Sequence, residues 1–170
     1  ADRRVKSSQV DSLLLRSIEE SGNAAFGLEA ADQVQPATLH ALGLAFLASD
    51  TVLDGLKRMV RFTHCMCTGT ELELKENGEF VELIIRSREV VDEHQGFLAN
   101  VDFGMAMVMV MCRLTLGEYV SPIRVELKRP APEQSDRWAS MLGAKVEFGA
   151  ERDCLTFVHA DIIDRLVTAN

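Results

Sequence analysis

The sequence predicts an α+β domain, in which a mostly antiparallel sheet of about five strands packs with a helical N-terminal half and a buried central helix. Three observations support this prediction: apolar residues recur with helical spacing in the first half, an Asn-Gly pair joins two alternating segments, and one long apolar segment follows. With 170 residues, 47% of them apolar, the chain can bury the core of one domain. We therefore expect residues 1–170 to form a single domain.

The first half of the chain carries a series of helical patterns. Asp11 or Ser12 is a suitable N-cap for the first of them. Residues 38–48 are apolar nearly all round, which is typical of a buried helix, and Gly43 within them indicates close approach of another backbone. Residues 51–64 place their apolar side chains on one side, so an amphipathic helix is expected there.

A β-hairpin follows the helical half. Residues 71–75 alternate between polar and apolar side chains, and residues 80–85 are rich in apolar and β-branched ones. Asn77 and Gly78 between them tolerate the positive φ angles that a tight hairpin turn requires. The pattern predicts two antiparallel strands joined at this pair.

A central helix is expected over residues 101–116. Four methionines alternate with period two, which would suit a strand, but a segment of about 16 residues favours a helix. Asn100 or Asp102 could cap it. The four methionines are Met105, Met107, Met109 and Met111.

The last third of the chain predicts three further strands and two helices. The expected strands are residues 123–128, 145–148 and 154–158, and the expected helices are residues 133–142 and 161–167. Gly143 is a suitable C-cap for the first of these helices. Because short turns join neighbouring strands here, we expect them to pair in antiparallel fashion.

The composition argues against several classes of function. A net charge of −8 without a basic patch argues against nucleic-acid binding by this segment, and no apolar run reaches the ~18 residues of a membrane span. The low cysteine density and the lack of an apolar leader favour a reduced, cytoplasmic protein. Phosphate-binding glycine loops and nucleophile elbows are absent from the sequence, so we expect no enzyme and no cofactor.

One short segment could bind a metal or sense redox state. His64, Cys65 and Cys67 supply imidazole and thiolate ligands of the kind that zinc and Cu(I) prefer. However, structural zinc sites use wider cysteine spacing and a second pair of ligands. The favoured interpretation is a helix end that leads into a strand with partly buried thiols, and a metal or thiol sensor is the alternative.

The methionine-rich helix suggests an apolar ligand pocket. Methionine is flexible and polarizable and recurs on adaptable binding surfaces, although simple filling of the core explains the same pattern. Arg113 could meet an anionic head group, or it could pair with Asp102. The candidate ligand-binding residues are Met105, Met107, Met109, Arg113, Phe46 and Trp138.

Several short motifs also occur in a characteristic order. They are Phe26-Gly27-Leu28, Leu42-Gly43, Ser49, residues 51–56, Phe62, Cys112-Arg113-Leu114, Gly117, residues 129–132 and residues 142–150. With these motifs the chain resembles the N-terminal effector-binding domain of AraC/XylS-type transcriptional regulators, in the arabinose-binding-domain-like branch. Arg129-Pro130 stands where that family often has a histidine, and Ala144 replaces a common cysteine.

This resemblance implies a small-molecule sensor that controls transcription. In such regulators the domain binds an effector and can form dimers, and a separate C-terminal domain with two helix-turn-helix motifs binds DNA. We expect that second domain to be absent from this chain. Contact with DNA would then be made only by that C-terminal domain of the parent regulator. We also expect a homodimer without membrane contact; a dimerisation module without any ligand is a further alternative.

Overall fold

The computed structural model describes residues 6–66, 69–88, 94–116 and 120–164, with all side chains in these ranges except those of residues 64–66 and 116. The described chain forms seven α-helices, one 3-10 turn (Pro36–Leu39) and five strands. The helices are α1 (Ser7–Ser21), α2 (Phe26–Ala31), α3 (His40–Leu47), α4 (Val52–Met66), α5 (Gln95–Leu116), α6 (Asp136–Leu142) and α7 (His159–Ile162). The strands are β1 (Thr70–Asn77), β2 (Phe80–Ser87), β3 (Arg124–Leu127), β4 (Val146–Phe148) and β5 (Asp153–Val158).

The five strands form one mixed sheet in the order β1-β2-β5-β3-β4. All neighbours are antiparallel except β3 and β4, which run parallel. The hairpin expected around Asn77 and Gly78 is confirmed: Asn77 lies opposite Phe80, and Gly78 has a φ of 68°. The α+β class and the mostly antiparallel sheet are therefore as the sequence predicts.

The pairing of the last two strands differs from the expectation. β4 and β5 follow each other closely, yet β4 pairs with β3 at the edge, and β5 lies between β2 and β3. Residues 153–157 of β5 are all buried, as a central strand requires, whereas β4 has only three residues. Burial of β5 thus outweighs the local preference for a hairpin, and α6 provides the crossover that a parallel β3–β4 pair needs.

Some helix ends also differ from the expectation. α1 begins at Ser7, so Asp11 and Ser12 lie inside the helix and do not cap it. Asp11 is buried and accepts a hydrogen bond of 2.8 Å from Nδ2 of Asn100 on α5. Because α5 begins at Gln95, neither Asn100 nor Asp102 caps it.

Other expectations about the helix ends are confirmed. Gly143 ends α6 with a φ of 78°, and its N–H donates to the carbonyl of Ala139. The last helix spans four residues in the described chain, while the expected positions 165–167 lie outside it.

α5 lies at the centre of the fold. It packs against α1, α2 and α6, and with α4 it contributes to one apolar core with the inner face of the sheet. Its length and hydropathy would suit a membrane span, but here the helix forms the core of a folded domain. The strand residues of that core are Val81, Leu83, Ile85, Val125, Leu127, Leu155 and Phe157.

Glycines permit close approach of two backbone segments at two places. A Cβ at Gly43 would overlap the carbonyl oxygen of Pro36, which confirms the close approach expected there. A Cβ at Gly27 on α2 would likewise overlap the carbonyl oxygen of Ala99 on α5. These contacts set the distance between the backbones, because no side chain can be inserted without moving one of them.

We therefore expect Gly27→Ala to lower the free energy of unfolding by about 1–3 kcal/mol, the usual cost of overpacking. Gly104→Ala is the matched control, because its methyl group would meet only Cδ1 of Ile85, at 3.7 Å. The control should raise stability by up to about 1 kcal/mol, since alanine favours a helix over glycine. Urea unfolding measures both variants, and equal effects would contradict close packing at Gly27.

Candidate functional site

A cavity of about 590 Å³ lies between α5 and the open end of the β1–β2 hairpin, which is the end opposite its turn. α4 contributes Met59 to its wall, and Leu39 and Leu42 enter from the 3-10 turn and α3. Its volume lies within the range of pockets that hold drug-sized ligands. The other apolar residues that line it are Leu72, Ile85, Phe97, Val101, Phe103, Gly104, Met107 and Val108.

One face of α5 forms the longest wall of the cavity. Phe97, Val101, Gly104 and Val108 recur at intervals of three or four residues, so they lie along the same side of the helix. The opposite sides of α5 pack in the core, where Met105, Met109 and Met111 are fully buried. The cavity therefore borders the apolar core directly, and Leu39, Leu42, Met59, Ile85 and Val108 belong to both.

Gly104 opens the cavity at the middle of this wall. A Cβ there would meet only Cδ1 of Ile85, at ordinary van der Waals distance. Glycine in a helix interior costs about 0.5–1 kcal/mol relative to alanine, so this position trades helix stability for open space. The sequence shows Gly104 only as an interruption of an apolar run, because its orientation depends on where the sheet lies.

Polar residues at one end of the sheet also line the cavity and form its polar end. Arg86 and Arg152 line it, and both already have carboxylate partners. Nη2 of Arg86 lies 2.6 Å from Glu73, and Arg152 donates to Glu82 at 2.6 and 3.2 Å and to Glu126 at 3.0 Å. The remaining polar residues of the lining are Thr63, Thr70, Ser87, Asn100, Lys128, Glu151 and Asp153.

The Arg152 cluster shifts the ionisation of its members. The hydrogen bond from Arg152 holds the pKa of Glu82 below its usual value, and Glu82 in turn raises the pKa of the Arg152 guanidinium. Both groups therefore stay charged at neutral pH. Arg152 links the outer face of the sheet, where its carboxylate partners lie, to the rim of the cavity.

The structure places the candidate residues from the sequence in different environments. Met107 lines the cavity. Met105 and Met109 are buried in the core, and the buried Phe46 packs against Gly55 of α4.

The two other candidates lie near α6. A Cβ at Gly143 would be 2.8 Å from Nη2 of Arg113, so Arg113 lies beside the C-terminal end of α6. Trp138 is fully buried, and its ring makes an edge contact with Phe148 at 6.3 Å. Neither Arg113 nor Trp138 lines the cavity within the part of the chain that the structure describes.

Asp102 forms a buried ion pair that the sequence did not predict. Its carboxylate contacts the guanidinium of Arg129, and Arg129 lies 4.5 Å above the ring of Trp138. Asp102 therefore neither caps a helix nor pairs with Arg113 on the outer face. It stands between Val101 and Phe103, both cavity residues, so α5 carries the cavity wall and this ion pair on adjacent positions.

The surroundings of Asp102 perturb its ionisation. Burial raises the pKa of the carboxyl from 3.8 to about 6, and Arg129 and the indole N–H of Trp138 oppose that shift. The indole interaction is weak, because Oδ1 of Asp102 and Nε1 of Trp138 have no partner in regular hydrogen-bond geometry among the described residues. Asp153 also raises the pKa of Asp102, because its charge repels the ionised carboxylate.

The candidate metal ligands fall largely outside the part of the chain that the structure describes. The side chains of His64 and Cys65, and the whole of Cys67, lie outside the described residues. Within the described ranges, no group of histidine, cysteine and acidic side chains is arranged to hold a metal. Burial raises the pKa of Cys112 to about 12 and that of Cys154 to about 11, so both remain protonated and unreactive at neutral pH.

Comparisons with known proteins agree with this architecture. Residues 1–165 match the family described as the arabinose-binding domain of AraC transcription regulators, at their N-terminus. The crystal structure of the transcriptional regulator CdpR from Pseudomonas aeruginosa has a similar fold, with a TM-score of 0.69 and 15% identity. That similarity covers 85% of this chain and 46% of the CdpR chain, so this chain spans less than half of that regulator's length. A comparison with curated protein sequences gave no match.

The raised pKa of Asp102 predicts a pH dependence of stability. The folded carboxyl holds its proton up to pH of about 6 and the unfolded one only up to about 3.8, so stability falls as pH rises between these values. The shift corresponds to about 3 kcal/mol. Urea unfolding from pH 4 to 7 should show this loss in the unmodified protein relative to Asp102→Asn. A constant difference between the two proteins over this range would contradict the assignment.

The two placements of methionine predict different effects of truncation. Met109→Ala should lower the free energy of unfolding by about 2–5 kcal/mol, since it leaves a void in the packed core. Met107→Ala should lower the free energy of unfolding by less, because the Met107 side chain already borders the cavity. It should, however, weaken binding in the cavity. Urea unfolding and binding of an apolar dye measure the two effects. Equal losses of stability would contradict the placement of Met107.

Proposed function

Since the chain belongs to the family of arabinose-binding domains of AraC transcription regulators, we propose that it senses a small, partly apolar effector and thereby controls DNA binding. The observation that carries this proposal is the cavity of about 590 Å³ between α5 and the hairpin. It combines an apolar wall with a polar end, as small-molecule sites usually do. No catalytic role is proposed.

The position of α5 suggests how occupancy of the cavity would be transmitted. A ligand beside Gly104 would contact α5 directly, and Asp102 on the same helix binds Arg129, which stacks on Trp138 of α6. Displacement of α5 would therefore move α6. A ligand that binds one arrangement of these helices more tightly shifts the population towards that arrangement.

DNA binding is proposed to reside in another part of the regulator. The net charge of −8 disfavours direct contact between this domain and phosphates. The longer chain of CdpR provides a precedent for a regulator of which this fold is only a part. We further propose that the regulator acts in the cytoplasm as a homodimer, without a cofactor or membrane contact.

Filling the cavity from within tests the binding proposal. The side chain of Gly104→Leu should extend past Ile85 into the open space and exclude a ligand. Leu114→Ala, at an exposed position of the same helix outside the cavity, is the control. Native mass spectrometry beside denaturing mass spectrometry detects a co-purified molecule, and fluorescence of the uncharged apolar dye N-phenyl-1-naphthylamine detects an empty cavity.

We expect a co-purified molecule or the dye to bind the unmodified domain and Leu114→Ala, and to bind Gly104→Leu at least tenfold more weakly. Circular dichroism verifies that each variant is folded. Binding that is unchanged in a folded Gly104→Leu variant would contradict a functional site in this cavity.

A further inference from the structure

On the premise of the proposed function, we infer that the effector of this domain is a mostly apolar molecule with an uncharged hydrogen-bonding head group, and not a sugar. The argument rests on the apolar wall, on the existing engagement of Trp138 and on the charges at the polar end of the cavity. Each of these features concerns a different part of the ligand.

The apolar wall would not satisfy the hydroxyl groups of a sugar. It contains the buried side chains of Leu39, Leu42, Met59, Ile85 and Val108 and the partly buried Met107, which are all aliphatic or sulphur-containing. A pentose carries a hydroxyl or ether oxygen on nearly every carbon. Each buried hydroxyl without a partner costs about 1–3 kcal/mol, whereas a hydrocarbon body gains from the same contacts.

Sugars also commonly stack on aromatic faces, and the tryptophan of this domain is already engaged. Arg129 covers the ring of Trp138 at 4.5 Å, and Phe148 contacts its edge. Among the described residues, the aromatic side chains that line the cavity are Phe97 and Phe103, which have no polar atoms. Both suit a hydrocarbon or an aromatic ring better than a sugar.

The arginines at the polar end do not offer an unused positive charge. Arg86 is paired with Glu73, and Arg152 with both Glu82 and Glu126. An anionic head group would have to compete with these carboxylates. The expectation of an anionic effector therefore loses its support, since Arg113 also lies away from the cavity.

The other charges at this end oppose one another. Lys128 lines the cavity together with Glu151 and Asp153, and Oδ1 of Asp153 accepts a hydrogen bond of 2.9 Å from the Lys128 backbone N–H. A carboxylate ligand would be attracted by the lysine but repelled by the two acids, and an ammonium ligand would be attracted by the acids but repelled by the lysine. An uncharged head group avoids both costs and the desolvation of its own charge.

Polar side chains that could bind such a head group are present. The hydroxyl of Thr63 donates to the carbonyl of Met59, so its oxygen can accept a hydrogen bond. Asn100 uses one N–H for Asp11, which leaves a carboxamide oxygen and a second N–H. A hydroxyl or amide group, which donates and accepts hydrogen bonds, matches this set.

Displacement of N-phenyl-1-naphthylamine by four ligands with the same eight-carbon body tests the inference at pH 7. The ligands are 1-octanol, octanamide, octanoate and octylammonium, and L-arabinose is the sugar. We expect 1-octanol and octanamide to displace the dye at concentrations at least tenfold below those needed for octanoate or octylammonium, and arabinose not to displace it. Gly104→Leu should weaken binding at least tenfold, Gly104→Ala should weaken it less, and Leu114→Ala should retain it.

The possible outcomes separate this inference from the proposed function. Equal or better displacement by octanoate or octylammonium would overturn the uncharged head group. A thermal shift caused by arabinose but not by octanol would overturn the apolar class and leave the sensing function intact. Failure of the dye to bind unmodified domain that carries no co-purified molecule would contradict an apolar cavity, and binding unaffected by folded Gly104→Leu would refute the proposed site itself.

Discussion

The rest of the structure depends on the burial of α5. This helix must bury apolar side chains on several sides, and α1, α2, α6 and the core-facing strands provide the surfaces that cover them. Close approach is possible at two glycines. Gly27 allows α2 to contact the backbone of Ala99 on α5, and Gly96 allows α5 to contact the backbone of Asp11 on α1. Once these contacts fix the helix, the face that carries Gly104 lines the cavity, and a Cβ at Gly104 would just reach van der Waals contact with Ile85. The cavity is thus a consequence of how a single helix is held.

The ion pair between Asp102 and Arg129 is the second constraint on α5. A buried ion pair gains little net stability, because desolvation of both charges offsets their attraction, but loss of one partner leaves an unpaired charge. The pair therefore favours one particular arrangement of α5 and the segment before α6. Stacking on Trp138 extends this constraint to α6 itself. In a sensor, such a connection between a cavity wall and a neighbouring helix provides a physical path for the response.

Local patterns predicted much of the fold and little of the candidate site. The hairpin at Asn77-Gly78 and the central helix follow from turn chemistry and from the length of an apolar run, which act within a few residues. The place of β5 between β2 and β3 was not predicted, because strand order depends on contacts between residues far apart in sequence. For the same reason the sequence did not distinguish Met107, which lines the cavity, from Met109, which lies in the core.

The sequence by itself determined the α+β class, the main helices and the hairpin, since backbone propensities and hydrophobic periodicity are properties of neighbouring residues. It also contained the motifs of the family to which the chain belongs. Only the tertiary structure decided that Gly104 lines the cavity and that Asp102 pairs with Arg129. The reason is physical: a cavity and a buried charge pair are relations between elements, and they exist only after packing has set the distances between those elements.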